Sequence, residues 1–331
     1  MRPQNPKWAL FAGYAVSQVV GLGALALVAA IFVRFNAYQA NELVGLTAGI
    51  LGFSHFFLIP FGMGFIAAYF WLDLPSQRTH NARRAAFNTL IACFGAALVL
   101  REGAMCLMMA FFLLWVFMWS GLDVGQHFWR KNPFLSVSLV PLFLLLVWAE
   151  ATHPPTQTFA VSTQFHSSAS PQSLWKYTAN YPRNPHPANW WLYRMGLPAP
   201  LQSTGRAVVG GRRDCVLTGG VSIGEKIVVA EPNRKLEFVI DRQPQHPEIV
   251  HHFVLERGRI ELFPDGRGGT ILKGTSWYRL NVAPAAYFDL WSAAIVRQTH
   301  ARVFGWMDEL ARGEGTISDS SGPAGRRGRW N

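Results

Sequence analysis

Thr270-Ile-Leu-Lys-Gly-Thr-Ser-Trp-Tyr-Arg-Leu-Asn-Val282 reads as one long strand. Leu272, Gly274, Ser276, Tyr278 and Leu280 occupy one face, and Lys273, Thr275, Trp277 and Arg279 the other. The first set is the more apolar and is expected to point inward. Further alternating runs precede it at 158–167, 206–217, 221–230, 235–241 and 251–263, bounded by turn residues such as Pro264-Asp265-Gly266. Ser170-Pro171 has the pattern of a helix cap with proline at the first helical position, so a short helix starts there. A long amphipathic helix over 285–311 closes the region, with Tyr287, Leu290, Trp291, Ala294, Ile295, Val303, Trp306, Met307 and Leu310 at helical spacing. Residues 151–312 therefore read as an α+β domain.

The sequence before this domain has a different texture. The chain has 331 residues, 50% hydrophobic and 15% charged, with a net charge of +11. Residues 1–150 hold nine Lys/Arg and five Asp/Glu, against twenty-one and fourteen in 151–331. Long apolar runs cover 8–33 and 43–72, both sufficient to cross hydrocarbon. From 85 to 122 there are 38 residues, roughly 57 Å as one helix against a core of about 30 Å, so this stretch must fold back. Arg101-Glu102-Gly103 is its charged break, separating 85–100 from 103–122. A last run, 133–149, makes five expected spans in a transmembrane domain over 1–150. Ala24-Leu25-Ala26 resembles a signal-peptidase site, but the apolar run continues beyond it, and the first span is read as uncleaved.

Loop charges fit that count. Arg2 and Lys7, then Arg78, Arg83 and Arg84, then Arg130 and Lys131 fall on alternate loops and mark the cytoplasmic side. Arg34 with Glu42, and Arg101 with Glu102, fall outside, which places the carboxyl-terminal domain outside the cytoplasm. Cations placed this way are topology signals, and nucleic-acid binding is not expected. Within the spans, Gly45-x-x-x-Gly49 and Pro60-Phe61-Gly62-Met63-Gly64 suggest close helix contact and a kink. His55, Arg101 and Glu102 are the intramembrane polar candidates, with hydrogen bonding to a neighbouring helix or placement at the interface as the structural alternatives. Gly21-Leu22-Gly23-Ala24-Leu25-Ala26 matches a dinucleotide pattern but lies mid-span with no strand before it. Cys93, Cys106 and Cys215 are an odd number without paired spacing and read as small buried hydrophobes.

Several stretches of the α+β region resemble the START-like SRPBCC superfamily, which includes polyketide cyclase/dehydrase-like and lipid-transfer domains. They are Ser170-Pro-Gln-Ser-Leu-Trp175, Val228-Val-Ala-Glu-Pro-Asn-Arg-Lys-Leu-Glu-Phe238, Thr270-Ile-Leu-Lys-Gly-Thr275 with Trp277-Tyr278, and Leu290-Trp291-Ser292 through His300 and Val303. The last is similar to the closing helix of membrane-tethered bacterial members; Arg213-x-Cys215 and Glu102-Gly103-Ala104-Met105-Cys106 are looser matches. The resemblance covers about residues 157–312. It implies a helix-grip fold, with an antiparallel sheet wrapped around the closing helix and an elongated cavity for an apolar ligand such as a lipid, quinone or polyketide. Gly274 and Ser276 opposite a large helix would leave room for it, and Tyr278 would bring a hydroxyl into an apolar pocket. A filled core is the equal alternative. Trp190, Trp191, Tyr193 and Met195 fall where superfamily members often place a lid, or serve packing alone.

Catalytic patterns are sparse. There is no HExxH, GxSxG or phosphate loop. His246, His251 and His252 cluster, but adjacent strand residues face opposite ways and cannot share a metal, so neither metal nor cofactor is expected. His252 stays a candidate for the cavity. Residues 313–331, Gly- and Ser-rich and ending Arg326-Arg327-Gly328-Arg329-Trp330, read as a disordered basic tail. The expected function is a multi-pass protein of a bacterial cytoplasmic (inner) membrane, in contact with membrane lipids, whose START-like domain binds or presents a hydrophobic small molecule. A cyclase-like or lipid-modifying enzyme using the same cavity, and a sensor or assembly protein without ligand, are the alternatives.

Overall fold

The computed structural model describes residues 5–36, 52–75, 77–99, 103–131, 139–153, 156–246, 248–249 and 252–319. Gly45, Gly49, Arg101, Glu102, His251 and the basic end of the tail lie outside the described residues. The chain divides into two compact units. One comprises Met1–Gln157, Pro247–His252 and Leu280–Asp289; the other Thr158–His246, Phe253–Arg279 and Leu290–Asn331.

The first unit is helical: α1 (Pro6–Asn36), a π-turn at Ser54–Leu58 leading into α2 (Ile59–Phe70), α3 (Arg78–Val99), α4 (Ala104–Lys131) and α5 (Leu139–Thr152). A helix thus stands at each expected apolar run, but length and hydropathy do not support all five as membrane spans among the described residues. Among the described residues only Pro6–Val28 and Ala104–Lys131 are long and apolar enough to cross a membrane; Ser54–Phe70 and Phe143–Thr152 are apolar but shorter. α3 falls below the same standard because its first turns carry Arg78, His80, Asn81, Arg83 and Arg84. α3 and α4 run beyond the expected span limits at 85 and 122, and polar residues in these extensions bond across the helices. Asn81 Nδ2 donates to Asp123 Oδ1 and Gln126 Oε1, both at 2.9 Å.

Small residues set the closest helix approach. A Cβ on Gly64 of α2 would collide with the Met118 carbonyl of α4, and one on Gly121 with the Phe61 carbonyl. Ser17, Gln18 and Asn88 join α1 to α3, with Gln18 Nε2 donating to Asn88 Oδ1 at 2.8 Å. Trp71 Nε1 donates to the Leu10 carbonyl at 3.2 Å, tying the end of α2 to the start of α1. Two carboxylates cap helices from afar. Glu150 accepts from Ser54 N and Ser54 Oγ at the start of the π-turn (3.0 and 2.6 Å), and Glu248 accepts from Met105 N and Cys106 N in the first turn of α4 (3.0 and 3.4 Å).

The second unit is a curled seven-stranded antiparallel sheet with a long helix, whose first residues up to Asp289 group with the helical unit. Its elements are β1 (Gln157–Ser167), α6 (Pro171–Trp175), α7 (Trp191–Arg194), β2 (Pro200–Gly205), β3 (Arg212–Leu217), β4 (Ser222–Glu231), β5 (Lys235–Arg242), β6 (Phe253–Pro264), β7 (Thr270–Leu280) and α8 (Ala285–Asp319). The strand order is β1-β7-β6-β5-β4-β3-β2, a meander from β2 to β7 with the first strand returning beside the last. Ala169, Leu174, Ile260, Leu262 and Leu272 pack against Phe304, Met307 and Ala311 of α8. This is a helix-grip arrangement. Ser170 caps α6, accepting from Ser173 N at 3.3 Å.

The expected strand at 206–217 is two features. β3 starts only at Arg212, and Arg206–Gly211 forms a turn. β2, which carries Pro200, Ser203, Thr204 and Gly205, has no strand-like pattern of its own and exists through its antiparallel pairing with β3.

Candidate functional site

The two faces of β7 separate only in part, since Thr275 of the expected outward set is buried, its hydroxyl 2.8 Å from Ser162 Oγ on β1. Leu272, Gly274, Tyr278 and Leu280 are buried and Arg279 is exposed, while Trp277 lies under Arg257 and Arg259, with guanidinium carbons 4.0 and 5.1 Å from its ring centroid. Across the inward face runs α8 with His300, which the sequence marks only as part of the closing-helix stretch and not as a site candidate. Its Nε2 is 2.8 Å from Ser276 Oγ on β7, and its Nδ1 is 2.8 Å from Thr163 Oγ1 on β1. A hydroxyl, an imidazole and a second hydroxyl thus form a chain across β7, α8 and β1.

The surroundings of this chain are apolar. Phe304, one turn on, stacks against the imidazole with ring centroids 5.6 Å apart and 19° between planes. Gly274 makes that approach possible: a Cβ there would strike the edge of the Phe304 ring and come within 3.3 Å of His300 Nδ1. The room that Gly274 leaves is therefore taken by Phe304 and His300. Further along β7, Tyr278 is completely buried between Phe159 and Phe253, at centroid distances of 6.0 and 4.9 Å.

Burial pulls the His300 imidazole down to about 4. It is neutral at physiological pH, with one ring nitrogen donating and the other accepting. With Nδ1–H donating to Thr163, Nε2 accepts from the Ser276 hydroxyl, the arrangement of a nucleophile, a base and an orienting group. Two features weaken it as a catalytic relay. The orienting group is a neutral hydroxyl, which does little to stabilise an imidazolium, and a base near 4 drives proton abstraction from serine poorly. Ser276, Thr163 and His300 are only partly buried, and they offer both donor and acceptor capacity on an apolar face.

The other candidates separate. Tyr193 is buried, and its hydroxyl lies 3.4 Å from Thr299 Oγ1, the residue before His300; Trp190 packs edge-on against it at 5.2 Å. Trp191 is 45% exposed and packs edge-on against Trp190, with ring centroids 6.2 Å apart. His252 groups with the helical unit, where its carbonyl accepts from Asn281 N at 2.9 Å. His55 lies at the π-turn, its Nδ1 accepting from Gly52 N at 3.1 Å.

A second buried polar cluster sits on β2, β3 and β4. Arg213 and Glu225 are cross-strand partners and pair at 2.7 Å, with Arg213 Nε also donating to Ser203 Oγ at 2.8 Å. Burial raises the Glu225 carboxyl to about 6 against the pull of Arg213, and raises the Cys215 thiol to about 11. Every group has a partner, which marks a structural ion pair. Arg213 was notable in sequence only for its spacing to Cys215; its burial follows from the sheet register.

No protein-family model matches the chain, and no curated protein does. Solved structures with a similar chain trace include norcoclaurine synthase from Thalictrum flavum (13% identity, 49% of this chain and 98% of that one, TM-score 0.33). Others are a structural-genomics protein from Mesorhizobium loti (18%, 50% and 100%, 0.32) and an uncharacterized protein from Rhizobium leguminosarum (11%, 48% and 97%, 0.34).

Proposed function

We propose that this is a membrane-anchored helix-grip protein that holds an apolar small molecule carrying a carbonyl or hydroxyl group, which the Ser276–His300–Thr163 chain recognises. The observation that carries this reading is the neutral imidazole bonded at both nitrogens on an otherwise apolar inward face. The imidazole nitrogens are occupied by the two hydroxyls, so a ligand would pair with the capacity that the Ser276 and Thr163 hydroxyls have left, each being both donor and acceptor.

The anchoring role draws support from the helical unit. Large apolar side chains stand exposed along it, among them Phe11, Val19, Phe94 and Leu98, each more than 60% exposed. Lys7, Arg78, Arg83, Arg84, Arg130 and Lys131 gather at the end of the unit where α1 and α3 begin and α4 finishes. Glu150 and Glu248 cap helices at the other end. We assign the basic end to the cytoplasm.

The test is to purify the full chain in detergent, extract it and identify apolar compounds by mass spectrometry. The expected result is a carbonyl- or hydroxyl-bearing compound whose recovery falls in Ser276→Ala and His300→Leu. A chain that is reproducibly empty would overturn ligand binding. Reporter fusions at residue 155 should be active only outside the cytoplasm, and a cytoplasmic signal would overturn the orientation.

A further inference from the structure

The basic end of the helical unit contains a groove of about 380 Å³, lined by Pro6, Lys7, Leu10, Tyr14, Leu74, Arg83 and Arg84. We propose that it binds the phosphate of an anionic phospholipid, with Lys7, Arg83 and Arg84 as the cationic ligands and Leu10 and Leu74 against the glycerol and upper acyl carbons. The inference rests on the membrane reading above.

Topology alone asks for positive charge at this end and nothing more; solvated side chains would satisfy it. The groove departs from that in three ways. First, Lys7, Arg83 and Arg84 make no ion pair among the described residues, although Asp73 and Asp123 occur at the same end and Asp123 is engaged by Asn81. Second, Arg84 is not free in water: its guanidinium carbon stands 6.0 Å from the Trp71 ring centroid, and its Nη1 is buried without a hydrogen-bond partner. The Trp71 indole N–H is already committed to the Leu10 carbonyl, so the ring offers Arg84 only its π-face. A buried, unpartnered guanidinium N–H is costly, and an incoming anionic oxygen would satisfy it. Third, cations and apolar walls occur together. A phosphodiester fits an arginine fork with two oxygens, and the glycerol and acyl carbons that follow it fit Leu10 and Leu74. Basic pockets between helices on the cytoplasmic side are suited to anionic headgroups on the same grounds.

The experiment uses the full chain in detergent and native mass spectrometry, with dioleoyl phosphatidylglycerol and dioleoyl phosphatidylcholine offered at equal concentration. Preferential retention of phosphatidylglycerol is expected, falling roughly fivefold for each cation removed in Lys7→Gln and Arg84→Gln. Arg84→Lys, which keeps the charge but not the fork, should retain part of the preference and guards against misfolding of the glutamine variant. Equal retention of the two lipids, or a preference unchanged in Arg84→Gln, would overturn the proposal. Displacement by inorganic phosphate would overturn the lipid assignment in favour of a free-phosphate site. Alkaline carbonate extraction of cell membranes is the separate arm. A chain that is washed off sinks the membrane reading and the proposal together, whereas a chain that resists washing but shows no lipid preference sinks the proposal alone.

Discussion

Ser276 on β7 and His300 on α8 share a 2.8 Å hydrogen bond, and that bond couples the inward face of the sheet to the helix it grips. Removing either member leaves a polar group unpaired, but the two removals are unequal. His300→Ala strands both Ser276 and Thr163 and opens a void beside Phe304. It should cost about 2–4 kcal/mol, against ~1 kcal/mol for Ser276→Ala. Thermal unfolding of the purified full chain measures the difference, and equal costs would show that the imidazole does not hold both hydroxyls.

The same imidazole makes stability depend on pH. Burial sets its folded value at about 4, below its ordinary 6.5. The unfolded chain therefore takes up the proton first as pH falls. The contribution is complete above pH 6.5 and is lost between 6.5 and 4, amounting to roughly 3 kcal/mol at most. Denaturation between pH 7 and 4 should show this slope, and His300→Leu should flatten it. An unchanged slope in that variant would assign the effect to other groups.

Gly274→Ala tests the close packing over β7. The added methyl meets the Phe304 ring edge, so about 1–3 kcal/mol of destabilisation is expected. Gly274→Ala with Phe304→Leu should recover part of that loss. Additive losses in the double variant would mean that the two positions do not touch.

The Arg213–Glu225 pair is expected to behave as a buried ion pair. Arg213→Met leaves the Glu225 carboxylate unpaired and should cost about 3–5 kcal/mol, whereas Arg213→Met with Glu225→Leu should cost less. Chemical denaturation of the three proteins gives the comparison. A double variant worse than the single one would mean that the pair contributes net stability.

Much of the architecture is legible in the sequence alone. Strands with a period of two and a closing helix with a period of 3.6 announce themselves locally. α8 starts where expected but continues past 311 to Asp319, into the stretch expected to be a disordered tail, whereas β1, β4, β5, β6 and β7 lie close to where the alternation puts them. β2 did not, because Pro200, Ser203 and Gly205 carry no strand signal and the segment is ordered by its neighbour. The helical unit was legible as apolar runs, but helix ends are set by partners. α3 and α4 run past the apolar stretches, where Asn81 bonds to Asp123 and Gln126.

The candidate site shows the same division. Composition and alternation placed Gly274, Ser276 and Tyr278 on one inward face, since side-chain direction in a strand is a local property. They could not say what would fill the room beside Gly274. That depended on the rotation of α8, which carries His300 over Ser276 and Phe304 over Gly274, and on β1 returning beside β7 to bring in Thr163. Nothing in the spacing of residues 163, 276 and 300 encodes that meeting, because contacts between distant segments follow from packing of the whole sheet against the helix.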